Sequence, residues 1–328
     1  GGATPDGEAV AVGFGANGVV VNELPLDEEG RKMITPSSGA WVAATNLGGI
    51  SLALADGSSD VFVVSAQTGE LVKTLDRHDA KVVDLAADEM GYRLVSGSSD
   101  SRAIVWEGLD EGEDVDSWDI SHGRGVVAVA MTPDGASVAT ADKDRDVQLW
   151  DADLRKETQR WDSAHKWQIK DIAVSRDGAL LATASRTEVS VYRVGQVGAP
   201  STLGPHQAEV SSVCFYRDGL RLLTGDVLGN VYLWDIEGAG VLTELVGHDA
   251  AITSLALANG GATLLSGDAE GQVYAWRSEK KSSRYERWKL GPRVALREER
   301  VRRFFDGDEE LIFRSLSEGV PGLDKGDP

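Results

Sequence analysis

Apolar residues recur along the chain in short runs, alternating or continuous, that are broken by polar turns. Four of these runs end on tryptophan or just beyond it: IVWEG (104–108), VQLWD (147–151), VYLWD (231–235) and VYAWR (273–277). With the tryptophan as marker, Tyr192 in VSVYR fills the central gap. Val64 in VFVVS and Asn22 in VVVNE extend the series towards the N-terminus. The markers fall at positions 22, 64, 106, 150, 192, 234 and 276, equally spaced but for one slightly longer step from 106 to 150. Short apolar runs bounded by turns predict β-strands, and a fixed period of this length predicts a repeat architecture.

Two further markers keep the same register. A glycine stands at one constant offset before the marker at Gly7, Gly49, Gly91, Gly135, Gly219 and Gly261, and one position nearer to it at Gly178. Several of these close turns such as Thr132-Pro133-Asp134-Gly135, where Pro presets φ, Asp caps the turn and Gly takes the positive φ. All five histidines, His78, His122, His165, His206 and His248, precede a marker by the same interval to within one position. In the sixth unit VSSVCFY (210–216), RLLTGD (221–226), VYLWDIE (231–237) and VLTELVG (241–247) predict four strands. Four antiparallel strands per period describe a propeller blade. The expected fold is therefore all-β, a seven-bladed β-propeller of four-stranded antiparallel blades.

With Gly247-His248, the Asp-Gly turns and the pairs Trp150-Asp151 and Trp234-Asp235 in view, residues 4–290 resemble the WD40 repeat family. The resemblance implies a hydrogen-bond relay of turn Asp, loop His, strand Ser or Thr, and Trp within each blade. Its expected members are Asp100, His78, Ser96 and Trp106 in the third unit and Asp144, His122, Thr140 and Trp150 in the fourth. His165, His206, Thr224, Trp234, His248, Ser266 and Trp276 follow in the later units. The fifth unit departs from the pattern at Arg186 and Tyr192, and the sixth has Leu228 where the turn Asp is expected. The resemblance also implies that partners bind the face carrying Arg102, Lys143, Arg145, Trp167, Arg186 and Leu228. Trp167 reads equally as a staple against the next blade or as an interface anchor.

A propeller must close, because open blades expose strand edges. Thr4-Pro5-Asp6-Gly7 matches Thr132–Gly135, so the first unit is expected to lack its innermost strand. The expected donor is a C-terminal strand, either VALRE (294–298) or VRRFF (301–305) with ELIFRSL (310–316). The predicted division is a propeller over 1–290 and a C-terminal extension over 291–328, with 317–328 as a flexible tail.

Composition narrows the function. The 328 residues carry 53 acids against 33 Lys plus Arg, a formal net charge of −20. Residues 279–303 alone hold ten bases and four acids, which leaves −26 on the rest. The body therefore repels nucleic acid and anionic membranes. The basic segment, with Trp288, Arg302 and Arg303, is a candidate contact for an acidic protein or RNA, although neutralisation by its own propeller is the favoured reading. One cysteine, Cys214, excludes a disulfide framework and Cys-rich zinc sites. No run is long enough to span a membrane, and GGATPDGEAV does not read as a secretory signal. The expected location is intracellular, cytoplasm or nucleus.

Evenly spaced histidines cannot converge on a metal or a catalytic triad, and Cys214 sits in an apolar run. No cofactor, metal or small-molecule substrate is expected. The function expected is a non-catalytic scaffold joining other proteins in a multi-subunit complex. The alternative is an acidic escort or docking surface for a basic protein such as a histone or ribosomal protein, or an RNA-processing or ribosome-assembly subunit using the basic segment 279–303.

Overall fold

The structure is a computed structural model that describes residues 2–3, 9–14, 18–23, 32–34, 43–48, 51–65, 68–109, 115–258, 263–280, 288–290, 305–306 and 309–315. Arg302, Arg303, the candidate strand 294–298, the Trp288 side chain and the tail 317–328 lie outside what is described.

Strands follow the chain sheet by sheet. The first sheet contains β1 (Gly2–Ala3), β2 (Ala9–Phe14), β3 (Gly18–Glu23) and β4 (Lys32–Ile34). The second contains β5 (Ala43–Leu47), β6 (Ser51–Ala55), β7 (Val61–Ser65) and β8 (Leu71–Leu75). Next come β9 (Val82–Ala87), β10 (Arg93–Ser98), β11 (Arg102–Glu107) and β12 (Asp116–Ser121), then β13 (Val126–Met131), β14 (Ser137–Asp142), β15 (Val147–Asp151) and β16 (Lys156–Trp161). The fifth sheet is β17 (Ile169–Val174), β18 (Leu180–Ser185), β19 (Glu188–Arg193) and β20 (Ser201–Leu203). The sixth is β21 (Val210–Phe215), β22 (Arg221–Asp226), β23 (Asn230–Asp235) and β24 (Gly240–Val246). These are six four-stranded antiparallel blades of a β-propeller.

The last unit forms something wider than the expected blade. β25 (Ile252–Ala258), β26 (Thr263–Asp268) and β27 (Val273–Lys280) pair in order, and β28 (Trp288–Leu290) pairs with Val273–Ala275 of β27. The second half of β27, from Trp276, pairs with β30 (Glu309–Ser315), which carries β29 (Phe305–Asp306) on its far edge. Closure through a C-terminal strand is therefore corrected for the described residues. β27 runs on past Trp276 to Lys280, and its free edge takes up β30 as any unpaired edge tends to do. The innermost place in the first sheet is held by β1, which pairs with β2 and neighbours both β25 and β5.

Second strands show why the blades form. β10, β14, β18 and β22 are almost wholly buried (LVSGS, VATAD, LATAS, LLTGD), and up to the terminal Asp142 and Asp226 both faces are apolar or small, as a strand covered on two sides requires. The outermost β16 (KETQRW) alternates between exposed and half-buried positions, which suits a solvent edge. The apolar core lies between blades. Leu94, Ile104 and Trp106 of the third blade pack with Val61, Val63 and Leu75 of the second, and Val95, Val105 and Ile120 pack with Val126 and Val138 of the fourth.

Innermost strands stand side by side in chain order from β5 to β25. Their spacing depends on small residues in the strand behind. A Cβ on Gly97 would lie 2.7 Å from Val126 Cγ1 and 2.8 Å from Val129 Cγ1 of the next blade. Gly225 meets Ile252 in the same way. Gly97→Ala is expected to destabilise the protein by about 1–3 kcal/mol, the usual cost of overpacking. Urea denaturation reads this, and an unchanged midpoint would show that the blades slide apart freely.

Candidate functional site

Each histidine sits just before an innermost strand and reaches a hydroxyl on the second strand of the same blade. His78 Nε2 lies 2.8 Å from Ser96 Oγ, and His78 Nδ1 lies 2.8 Å from Asp100 Oδ2. Trp106 Nε1 donates to the same Ser96 Oγ at 2.9 Å. The last unit repeats this, with His248 at 2.7 Å from both Ser266 Oγ and Asp268 Oδ2, and Trp276 donating to Ser266 at 2.9 Å. In the sixth unit Thr224 Oγ1 lies 2.8 Å from His206 Nε2 and accepts from Trp234 Nε1 at 2.9 Å.

The sixth unit also fixes the tautomer. His206 Nδ1 faces the Thr187 carbonyl at 3.2 Å, and a carbonyl only accepts, so Nδ1 carries the proton and Nε2 accepts from the hydroxyl. Burial lowers the pKa of His78, His122, His165 and His206. These imidazoles are neutral at pH 7, and the direction of donation is Trp N–H to hydroxyl, hydroxyl to Nε2, and Nδ1–H to carboxylate or carbonyl.

The fourth unit corrects two expectations. The carboxylate facing His122 Nδ1 is Asp142 Oδ2 at 3.2 Å, not Asp144. Asp144 is exposed on the turn, with Arg124 at 3.7 Å. Trp150 does not reach Thr140, which pairs with His122 alone at 2.8 Å. Its Nε1 donates to Gln148 Oε1 at 3.0 Å, while Gln148 Nε2 donates to the Ser121 carbonyl. In the fifth unit His165 Nε2 bonds Thr183, and Tyr192 in the tryptophan position donates its hydroxyl to the Ala164 carbonyl at 3.0 Å.

The expected partner face is made by the turns before the third strands and the loops entering the innermost strands. Arg102 is committed within its own blade. It meets Asp79, Asp100 and Asp119 at 2.7, 3.2 and 3.5 Å. Lys143 and Arg145 lie on the β14–β15 turn, Arg186 on the β18–β19 turn and Leu228 on the β22–β23 turn. Trp167 is 49% exposed, with the Arg186 guanidinium 4.5 Å from its ring centre. Its backbone carbonyl accepts from Ser185 Oγ at 2.9 Å, so its own blade holds the loop while the indole faces out.

Two aspartates in the propeller centre carry no mark in the sequence. A bulge in each innermost strand sets Asp84 opposite Gly97 and Asp171 opposite Ala184. From there each grips the next blade, Asp84 accepting from Val129 N and Asp171 from Val213 N, both at 2.8 Å. Burial, with a contribution from Asp171, raises the Asp84 pKa to about 7. Burial raises Asp171 to about 6 against the opposing bonds from Val213 and Ser212. Burial also pushes the Cys214 thiol up to about 12, which leaves it protonated at neutral pH. Among the described residues no three His, Cys, Asp or Glu side chains gather as a metal site.

Comparison with known proteins adds sequence relationships. The family described as "WD domain, G-beta repeat" matches residues 69–107, 117–151, 200–235 and 240–277. "Periodic tryptophan protein 2 homolog" of Schizosaccharomyces pombe is 31% identical over 117 residues, 36% of this chain and 14% of the relative. "Ribosome biogenesis protein WDR12 homolog" is 28% identical over 182 residues in Drosophila sechellia, 54% of this chain and 37% of the relative. The same-named protein of Drosophila persimilis is 26% identical over 212 residues, 62% and 43%. The chain thus spans less than half the length of these relatives.

Two measurements probe the site. Thr224→Val strands two ring nitrogens and is expected to cost about 2–4 kcal/mol, whereas Thr140→Val strands one and costs about 1–2 kcal/mol. Equal losses in chemical denaturation would mean that the shared hydroxyl is not the joint described. Asp84 holds a proton in the folded protein, between its ordinary pKa of 3.8 and about 7, that the unfolded chain releases. Its contribution to stability therefore falls as pH rises through that window. Asp84→Asn keeps an acceptor for Val129 without the charge. Its melting temperature relative to the parent protein is expected to rise from pH 5 to pH 8 by at least about 2 °C, and parallel profiles would refute this.

Proposed function

We propose that this chain, a WD40-repeat protein, works as a scaffold without catalytic activity of its own, joining other proteins in a multi-subunit intracellular assembly. The observation that carries this reading is where the reactive side chains go. All five histidines are engaged inside blades, and the only cysteine is held as a thiol. What the molecule offers outward is a rigid ring of loops.

We place residues 1–290 in one seven-bladed ring, with β25–β28 as its last blade. The contacts of β1 with β25 and β5 support this closure. Residues 291–328 are then an extension, of which β30 pairs with β27 in the last sheet. The docking face is the one carrying Lys143, Arg145, Trp167, Arg186 and Leu228. The basic segment 279–303, with Trp288, Arg302 and Arg303, supplies a second contact.

Two of the relatives are named for ribosome biogenesis, and we extend that setting to this chain as a subunit of a ribosome-assembly complex in the nucleus or cytoplasm. The acidic body favours a basic protein as one neighbour, because opposite charge steers encounter and adds affinity that salt weakens. Gradient sedimentation of extracts from the source cells, at low and high salt, tests the scaffold. The chain is expected to travel with particles much larger than its own 34.9 kDa. Travel as a free monomer at low salt would overturn the reading.

A further inference from the structure

Three cations gather at the exposed indole of Trp167, and among the described residues none of them has a carboxylate partner. They are Arg145, Lys166 and Arg186. Arg186 stacks on the ring at 4.5 Å, and Lys166 Nζ lies 5.5 Å from its centre. Arg145 reaches only main-chain carbonyls, bonding Lys166 O at 3.0 Å. Nearby Lys170, in contrast, is neutralised by Glu209 at 2.7 Å. Unpaired positive charge stands out on a body of net −26.

Backbone bonds make these loops one surface. Ala164 N donates to Arg145 O, Val210 N to Arg186 O and Val227 N to Glu209 O. The arc therefore runs from Arg145 through Trp167 and Arg186 to Val227 and Leu228, which are 42% and 61% exposed.

Backbone conformation supplies an independent sign. Arg145 and Arg186 occupy left-handed φ angles of 73° and 55°, at the turn where the sixth and last units have Gly229 and Gly271. A side chain there costs stability that glycine avoids, and such outliers cluster where function holds them.

The geometry points to this arc as the docking site for an acidic segment of a partner protein, its carboxylates meeting Arg145, Lys166 and Arg186 and one apolar side chain meeting Trp167 and Leu228. An indole flanked by cations is a strong anchor for such a segment. Single-stranded RNA fits less well. The guanidinium already occupies an indole face on which a base would stack, and a long polyanion leaving the arc meets the acidic body. This inference rests on the scaffold reading and names one class of partner for it.

The test is panning a random peptide library on phage against the purified chain, followed by anisotropy with the enriched peptides. Enrichment of Asp and Glu around one aromatic or aliphatic residue is expected, with affinity falling as salt rises. The double variant Arg145→Gly with Arg186→Gly relieves the left-handed turns, so its melting temperature should hold while peptide affinity drops at least tenfold. Trp167→Ala should lose binding as well. Enrichment without acidic bias, equal binding by the double variant, or displacement of the peptide by a uridine oligonucleotide at lower concentration would overturn the proposal. A parent chain that sediments as a free monomer refutes the scaffold reading instead, whatever the peptides show.

Discussion

One buried hydroxyl bonded to two ring nitrogens, accepting from one and donating to the other, is the joint on which the blades depend. Ser96, Thr224 and Ser266 each take a histidine from the loop before the innermost strand and a tryptophan from the third strand. The hydroxyl lies on the second strand, so three parts of the blade meet at one oxygen. Leaving any of these groups unmatched in the interior costs about 1–3 kcal/mol. Loop, second strand and third strand are thereby held in a single register. The fourth and fifth blades meet the same demand with other residues, a glutamine for Trp150 and a backbone carbonyl for Tyr192. The rule is therefore satisfaction of the buried polar groups, and the particular residue set is one solution to it.

Within a blade the shared hydroxyl joins neutral rings and the relay ends on a carboxylate such as Asp100 or Asp268, whereas between blades a carboxyl group meets backbone directly. Asp84 and Asp171 hold the neighbouring innermost strand by its backbone N–H, and burial makes each resist ionisation. The histidines titrate in the opposite sense. The lowered pKa values of His78, His122, His165 and His206 contribute stability that is complete above about pH 6.5, while the contribution of the two aspartates falls as pH rises from 3.8 towards about 6 to 7.

Much of this was legible in the sequence because the repeat places like residues at like distances. The interval from histidine to hydroxyl is the same in every blade, so Ser96, Thr140, Thr224 and Ser266 could be read directly. The carboxylate could not. It comes two positions later after His78 than after His122 and His248, and taking the third unit as guide selected Asp144 over Asp142. A buried Asp at the end of the second strand was the overlooked signal, present at Asp142, Asp226 and Asp268. In the sixth blade Asp226 serves its own turn, accepting from Leu228 and Asn230. Asp84 and Asp171 were illegible for a different reason. A lone acid in an apolar strand has no local pattern, and its partner belongs to the next blade, a full repeat away along the chain. The edge chosen by β30 was equally hidden, since it depends on how far β27 runs on.

The turn before each third strand separates two demands that proteins usually have to meet together. Its left-handed residue makes no contribution to the relay, and the repeat accepts glycine, serine or arginine there. Surface chemistry at that point can thus be rewritten blade by blade while the buried joint stays untouched. A lineage of such rings can change what it recognises without refolding, and a designer could graft a new contact onto the same slot.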